Sequence, residues 1–175
     1  YLSFRRKPPQ RRQFVREALK RGLGYDARLG ANPFRFGLIA STDTHLGTPG
    51  LVSERSFPGH GGAGAADAAE LPPGLPDSLE FSPGGLAVLW AEENSRDALF
   101  AAMQRREAYG TSGTRPVVRF FGGWDFTADD AQSRLPAGVG YAKGVPMGGD
   151  LRKAPGGKSP TFLVAAMKDP YSGNL

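Results

Sequence analysis

The sequence predicts an α/β fold followed by a β-rich segment, and three observations carry that prediction. An amphipathic stretch near the N-terminus leads into a short, nearly continuous apolar run. A second apolar run near residue 85 is followed by another helical stretch. Beyond residue 112, short strand-like pieces alternate with turn residues. We therefore divide the chain into residues 1–112, interrupted by a long loop over 58–85, and a β-rich segment over 113–175.

The first helical stretch is "PPQRRQFVREALKRGLGYDARLG", with Pro8 and Pro9 at its entry. Proline suits a first helical turn, where its missing N–H has no intrahelical partner. Phe14, Val15, Ala18, Leu19 and Leu23 recur at spacings of three and four and form one apolar stripe. Arg11, Arg12, Arg16 and Lys20 fall mostly on the other side, and Gly30 with Asn32-Pro33 ends the element. Phe36 to Ser41 then reads as a strand buried on both faces, too short for a helix between its turn signals.

From Pro58 to Gly85, 17 of 28 residues are Gly, Pro or Ala, the composition of a long functional loop. "GLAVLWAEEN" resumes a buried strand, and Asn94 or Ser95 caps a helix over 95–109 that Gly110 can stop in a left-handed conformation. Leu99, Ala102, Met103 and Arg106 trace one face of that helix. "RPVVRFFGGWDF", "GVPMGGDL" and "SPTFLVAAMKDP" supply the later strands.

Composition excludes several chemistries. The 175 residues contain no cysteine, which rules out disulfides, thiolate metal sites and cysteine nucleophiles, and fits any compartment. No apolar run approaches the ~18–20 residues that span a bilayer. The net charge of +5 is uneven: residues 1–35 carry +8 and the remainder −3. This basic helix lacks interleaved aromatics and any recognised module, which argues for a solvated face and against nucleic acid as a partner.

"STDTH" at residues 41–45 is the strongest chemical signal. Residues two apart on an extended chain point the same way, so Asp43 and His45 share one side at the end of an apolar run. A carboxylate beside an imidazole suits a divalent ion such as Zn²⁺, Mn²⁺ or Fe²⁺. A polar pair capping a strand end is the plainer reading of the same residues. A metal site wants at least three or four ligands, and only His60 remains as a further imidazole. A Ser41–Asp43–His45 triad fails, because side chains within five residues of one strand cannot line up as a relay.

Other candidates carry a second reading each. Gly59 to Gly64 satisfies G-x-G-x-x-G, but no strand precedes it and no βαβ unit surrounds it, so it reads as a flexible glycine loop. His60 on that loop is a candidate proton donor or ligand, or a loop residue with no role in the chemistry. Glu92, after the second apolar run, is a candidate metal ligand or base, or one half of a helix-entry acidic pair with Glu93. Thr114 and Arg115 in "TSGTR" are candidates to contact a small anionic substrate, or form a helix-exit loop.

"YDARLGANPFRFGLIASTDTHLGTPG", "FPGHGGAG", "LAVLWAEENSRDALFAAMQRREAYGTSGTRP", "VRFFGGWDF", "GYAKGVPMGGDL" and "FLVAAMKDP" occur in family order. Through them the chain resembles a bacterial family catalogued as domain of unknown function 3604. That family looks related to the polymerase-and-histidinol-phosphatase (PHP) class of metal-dependent phosphoesterases. The resemblance implies a distorted (β/α) barrel, of which this chain is the C-terminal portion, followed by a truncated β-rich segment. It also implies divalent metal ions held in part by Asp43 and His45, matching the class's last Asp-x-His motif. The first motif, His-x-His, is absent, so a fragment inactive without upstream sequence is expected. The start at Tyr1 and the finish at "YSGNL" read as cuts through a longer protein. The competing expectation is a non-catalytic binding module.

Overall fold

A computed structural model describes residues 10–41, 85–111 and 114–170. The chain divides into two compact units, residues 1–36 and 37–175.

In the first unit, a single 3₁₀ turn over Arg11–Gln13 precedes helix α1, Val15–Leu29. Phe14 is extended between them, so the stretch is broken at its start and does not run unbroken from Pro8. Gly30 ends α1 with φ of 70°, the left-handed geometry expected of a glycine stop. Asn32 then accepts a 2.9 Å bond from the Phe34 amide and turns the chain. The apolar stripe is solvent-facing among the described residues, Leu23 being 69% exposed.

The second unit is mixed α/β, with antiparallel sheets and no closed barrel among the described residues. Strand β1, Ala87–Leu89, pairs antiparallel with β2, Ala108–Gly110, and helix α2, Arg96–Arg105, connects them. Ser95 caps α2, its hydroxyl accepting from the Ala98 amide at 3.3 Å. The helix stops four residues before Gly110, at Arg106, whose φ of 63° is the left-handed conformation. A non-glycine residue there is uncommon, and the Arg106 side chain is engaged at 2.8 Å by Asp150. Ala108 and Tyr109 thus leave the expected helix and, with Gly110, form β2.

The expected strand over Phe36–Ser41 joins no sheet among the described residues, and these residues are exposed. Periodicity registered the apolar run correctly and had no access to whether a partner strand lay beside it.

Among the described residues beyond 112 lie three strands and one α-helix. Strand β3, Val117–Gly123, is central between β4, Gly144–Pro146, and β5, Thr161–Met167, all antiparallel. Between β3 and β4 lies α3, Pro136–Lys143, with proline in its first turn. The core is small: Phe121, Phe126 and Leu163 are buried, with Ala137 and Val139 of α3 packed on them. Each such large apolar side chain contributes about 1.5–3 kcal/mol on burial. Gly140 makes this packing possible, because a Cβ there would meet Phe121 Cδ2 at 2.4 Å.

The two sheets are joined by side chains. Trp90 Nε1 donates to the Val118 carbonyl at 3.0 Å, and the Val118 amide donates to the Tyr109 hydroxyl at 3.3 Å. Tyr109 in turn donates to the Pro116 carbonyl at 3.0 Å. Together they satisfy the backbone of β3 at a position where β4 does not reach.

Candidate functional site: an arginine-lined cleft

Just past β1, Trp90, Ala91 and Glu92 enter a cleft of about 370 Å³. Arg105 at the end of α2, Glu107 before β2, Arg119 of β3 and Tyr141 of α3 complete its lining. Five elements converge here, because the side-chain bridge described above brings the β1–β2 pair against β3.

Glu107 is the centre of the cluster and is only 3% exposed. Its Oε1 accepts a short hydrogen bond from the Tyr141 hydroxyl. Arg105 Nε lies 3.4 Å from Oε2, and Arg119 NH1 lies 3.6 Å from Oε1. Arg119 NH1 also donates to the Tyr141 hydroxyl at 2.8 Å. A buried carboxylate without cationic neighbours is strongly disfavoured, so the two guanidinium groups account for its survival in the interior.

Aromatic groups orient the cations. The Arg119 guanidinium carbon sits 3.3 Å from the centroid of the Trp90 ring, and 5.8 Å from that of Tyr141. Guanidinium stacking of this kind fixes the plane of the fork as well as holding the charge. Arg105 NH2 donates to the Trp90 carbonyl at 3.1 Å, which ties the end of α2 to the end of β1. The Tyr141 ring meanwhile packs edge-on against Phe121, with centroids 5.1 Å apart. One side chain therefore links the core to the cleft.

Burial raises the Tyr141 phenol above the ordinary tyrosine range, and the bond to Glu107 and that group's charge push the same way, opposed by Arg119. The phenol is thus neutral near pH 7. It bridges a carboxylate and a guanidinium as donor and acceptor, and does not exchange protons as a titrating acid.

Of the residues singled out from sequence, Glu92 is the one that lines this cleft, where it is exposed. Arg115 and Thr114 lie on the approach to β3 and outside the cleft lining. The Arg115 amide donates at 2.9 Å to Asp169, which is 2% exposed. Thr111 of the same "TSGTR" stretch closes the β1–β2 ladder: its amide donates to the Leu86 carbonyl at 2.8 Å, and its hydroxyl accepts from the Leu86 amide at 3.0 Å. Asp43, His45 and His60 lie outside the described residues. Among the described residues no three His, Asp or Glu side chains converge as metal ligands, and no helix is long and apolar enough to cross a membrane.

Sequence reasoning missed Trp90, Arg105, Glu107, Arg119 and Tyr141. One signal was present: Arg119 interrupts the apolar run "VVRFF", and a charge inside such a run needs a partner. No curated protein and no solved structure matches the chain. Residues 4–175 do match one family over nearly their whole length, and the chain belongs to it: the proteins of unknown function grouped as DUF3604.

Proposed function

We propose that this chain forms part of a metal-dependent hydrolase acting on an anionic, phosphate-type ester, built on a PHP-like barrel. The observation that carries the reading is the cleft just beyond β1, where the Glu92 carboxylate stands with two guanidinium groups. The end of a strand in an α/β rhythm is where such chemistry is expected.

Asp43 and His45 would hold the ion together with Glu92, a donor set of two carboxylates and one imidazole that suits Zn²⁺, Mn²⁺ or Fe²⁺. A bound divalent ion supplies an acidified water as nucleophile. These three residues leave the coordination short of a two-metal cluster, so on this reading further ligands are needed for turnover. Within the chain, Glu107 holds Arg105 and Arg119 in the same cleft lining as Glu92.

The test is elemental analysis of the intact protein alongside its Asp43→Ala and His45→Ala variants, with turnover measured on phosphate, phosphonate and sulfate esters. Both substitutions are expected to remove metal and activity together. Metal content unchanged by both substitutions overturns the reading and leaves the chain as a binding module.

A further inference from the structure

The two cleft arginines are held in place without being used up. Charge-assisted N–H to carboxylate bonds ordinarily close to about 2.7–2.9 Å. Here the contacts of Arg105 and Arg119 with Glu107 are 3.4 and 3.6 Å. The short bond to Glu107 comes instead from Tyr141. Arg105 spends one donor on the Trp90 carbonyl and its Nε–H on the long bond to Glu107, and Arg119 spends one on the Tyr141 hydroxyl. A guanidinium carries five N–H donors, so most of the capacity of both groups remains.

Two further facts point the remaining donors at a ligand. Both arginines line the 370 Å³ cleft, and their side chains are 46% and 24% exposed. Their two positive charges face one buried carboxylate, leaving one charge in excess around Glu107. The other carboxylate of the cleft, Glu92, is exposed and solvated, so it offsets that excess only weakly. Preorganisation is supplied by the Trp90 face under Arg119, which removes rotamer freedom before any ligand arrives.

We propose that Arg105 and Arg119 form a subsite for the oxyanion group of a small ligand, with Glu107 and Tyr141 as the positioning residues that present them. Under the hydrolase reading, on which the identity of the ligand rests, this is where the negative charge of the ester docks. The oxyanion is either phosphate-type or carboxylate-type, and the two are separated by experiment.

The chain contains two tryptophans, so a Trp124→Phe background reports on Trp90 alone. Phosphate and acetate are titrated separately into this protein, in the presence of a chelator and at constant ionic strength, and Trp90 emission is followed. A saturable change is expected with at least one anion, because a ligand that recruits Arg119 alters its stacking on the ring. Stronger binding of phosphate identifies a phosphate-type ligand, and stronger binding of acetate a carboxylate-type one. Arg105→Gln is expected to weaken binding by about tenfold, the loss of one charge-assisted contact. Arg105→Lys, which keeps the charge and loses the fork, is expected to recover only part of it. The exposed Arg152→Gln serves as control and is expected to bind normally.

No saturable response to either anion overturns the proposal, as does a response that survives Arg105→Gln. Far-UV circular dichroism of each variant separates lost binding from lost folding, and the half-exposed Arg105 is the position best able to tolerate change. Binding in chelator requires neither metal nor turnover. Failure here therefore leaves the hydrolase reading standing, and failure of metal binding leaves the subsite standing.

Discussion

Replacing Glu107 with Gln isolates what the buried carboxylate contributes. The amide keeps the volume and one acceptor, so no cavity opens, but the charge goes. The Tyr141 bond drops from a charged to a neutral one, a loss of about 1–1.5 kcal/mol. Arg105 and Arg119 lose their common counter-charge. Since both reach solvent, each loses about 0.5 kcal/mol and no more. The expected destabilisation is about 2 kcal/mol in urea unfolding, or a fall in Tm of about 4–8 °C for a chain of this size. A spectroscopic marker accompanies it. Glu107 helps hold the Tyr141 phenol above its usual range, so alkaline difference titration against Tyr141→Phe should show that phenol ionising at lower pH in the variant. The sign for stability follows. A raised folded value means that the Tyr141 contribution is intact below the unfolded phenol value near pH ~10 and declines as pH rises through the folded value. In Glu107→Gln that decline starts at the same unfolded value but is smaller and ends at lower pH. Stability within about 0.5 kcal/mol of the parent together with an unchanged phenol titration would refute the account, because both effects come from one carboxylate.

Glycine substitutions should separate helix propensity from packing. Gly24→Ala, inside α1 with nothing within 4 Å of the new methyl, should stabilise by about 0.5–1 kcal/mol in thermal unfolding. Gly140→Ala should destabilise by about 1–3 kcal/mol despite the same helical preference, since its methyl collides with the Phe121 ring. Asp130, bonded to Lys143 at 2.7 Å and to the Thr127 amide at 2.8 Å, has its carboxyl held below the usual range, first by Lys143 and then by Thr127. Its contribution is present above the unfolded carboxyl value near pH ~3.9 and is lost as pH falls through the folded value. Acid unfolding curves of the parent and Asp130→Asn should therefore converge at low pH and separate above it. Parallel curves would count against this account.

Features that depend on near neighbours were legible from sequence. The glycine stop at Gly30 and the serine cap at Ser95 both rest on local backbone chemistry. The break at Phe14 and the left-handed Arg106 were not legible, because a long-range partner decides the latter: Arg106 reaches Asp150 forty-four residues away. Helix α3 escaped notice for a related reason. "PAGVGYAK" has two glycines, which weaken helix propensity, and it is the packing of Gly140 on Phe121 that rewards them. The cleft was hidden for the same cause on a larger scale. Glu107 meets Tyr141 across thirty-four residues, and Arg119 meets it across twenty-two. The pattern "VVRFF" announced a charge in a strand without naming its partners. Glu92 was found because its position after an apolar run is a local fact.

The register of β3 has a consequence for exchange of backbone protons with solvent. Phe121, Gly122 and Gly123 are paired on one side with β5 and on the other with β4, while Arg119 lies two residues earlier on the same strand. Amides in that doubly paired stretch are released only by opening the sheet itself. Arg119 cannot be withdrawn from the cleft by a loop motion, since its backbone is part of the central strand. A ligand gripping its guanidinium should therefore lengthen deuterium-exchange lifetimes in the middle of the sheet and leave the exposed Ser159 unaltered.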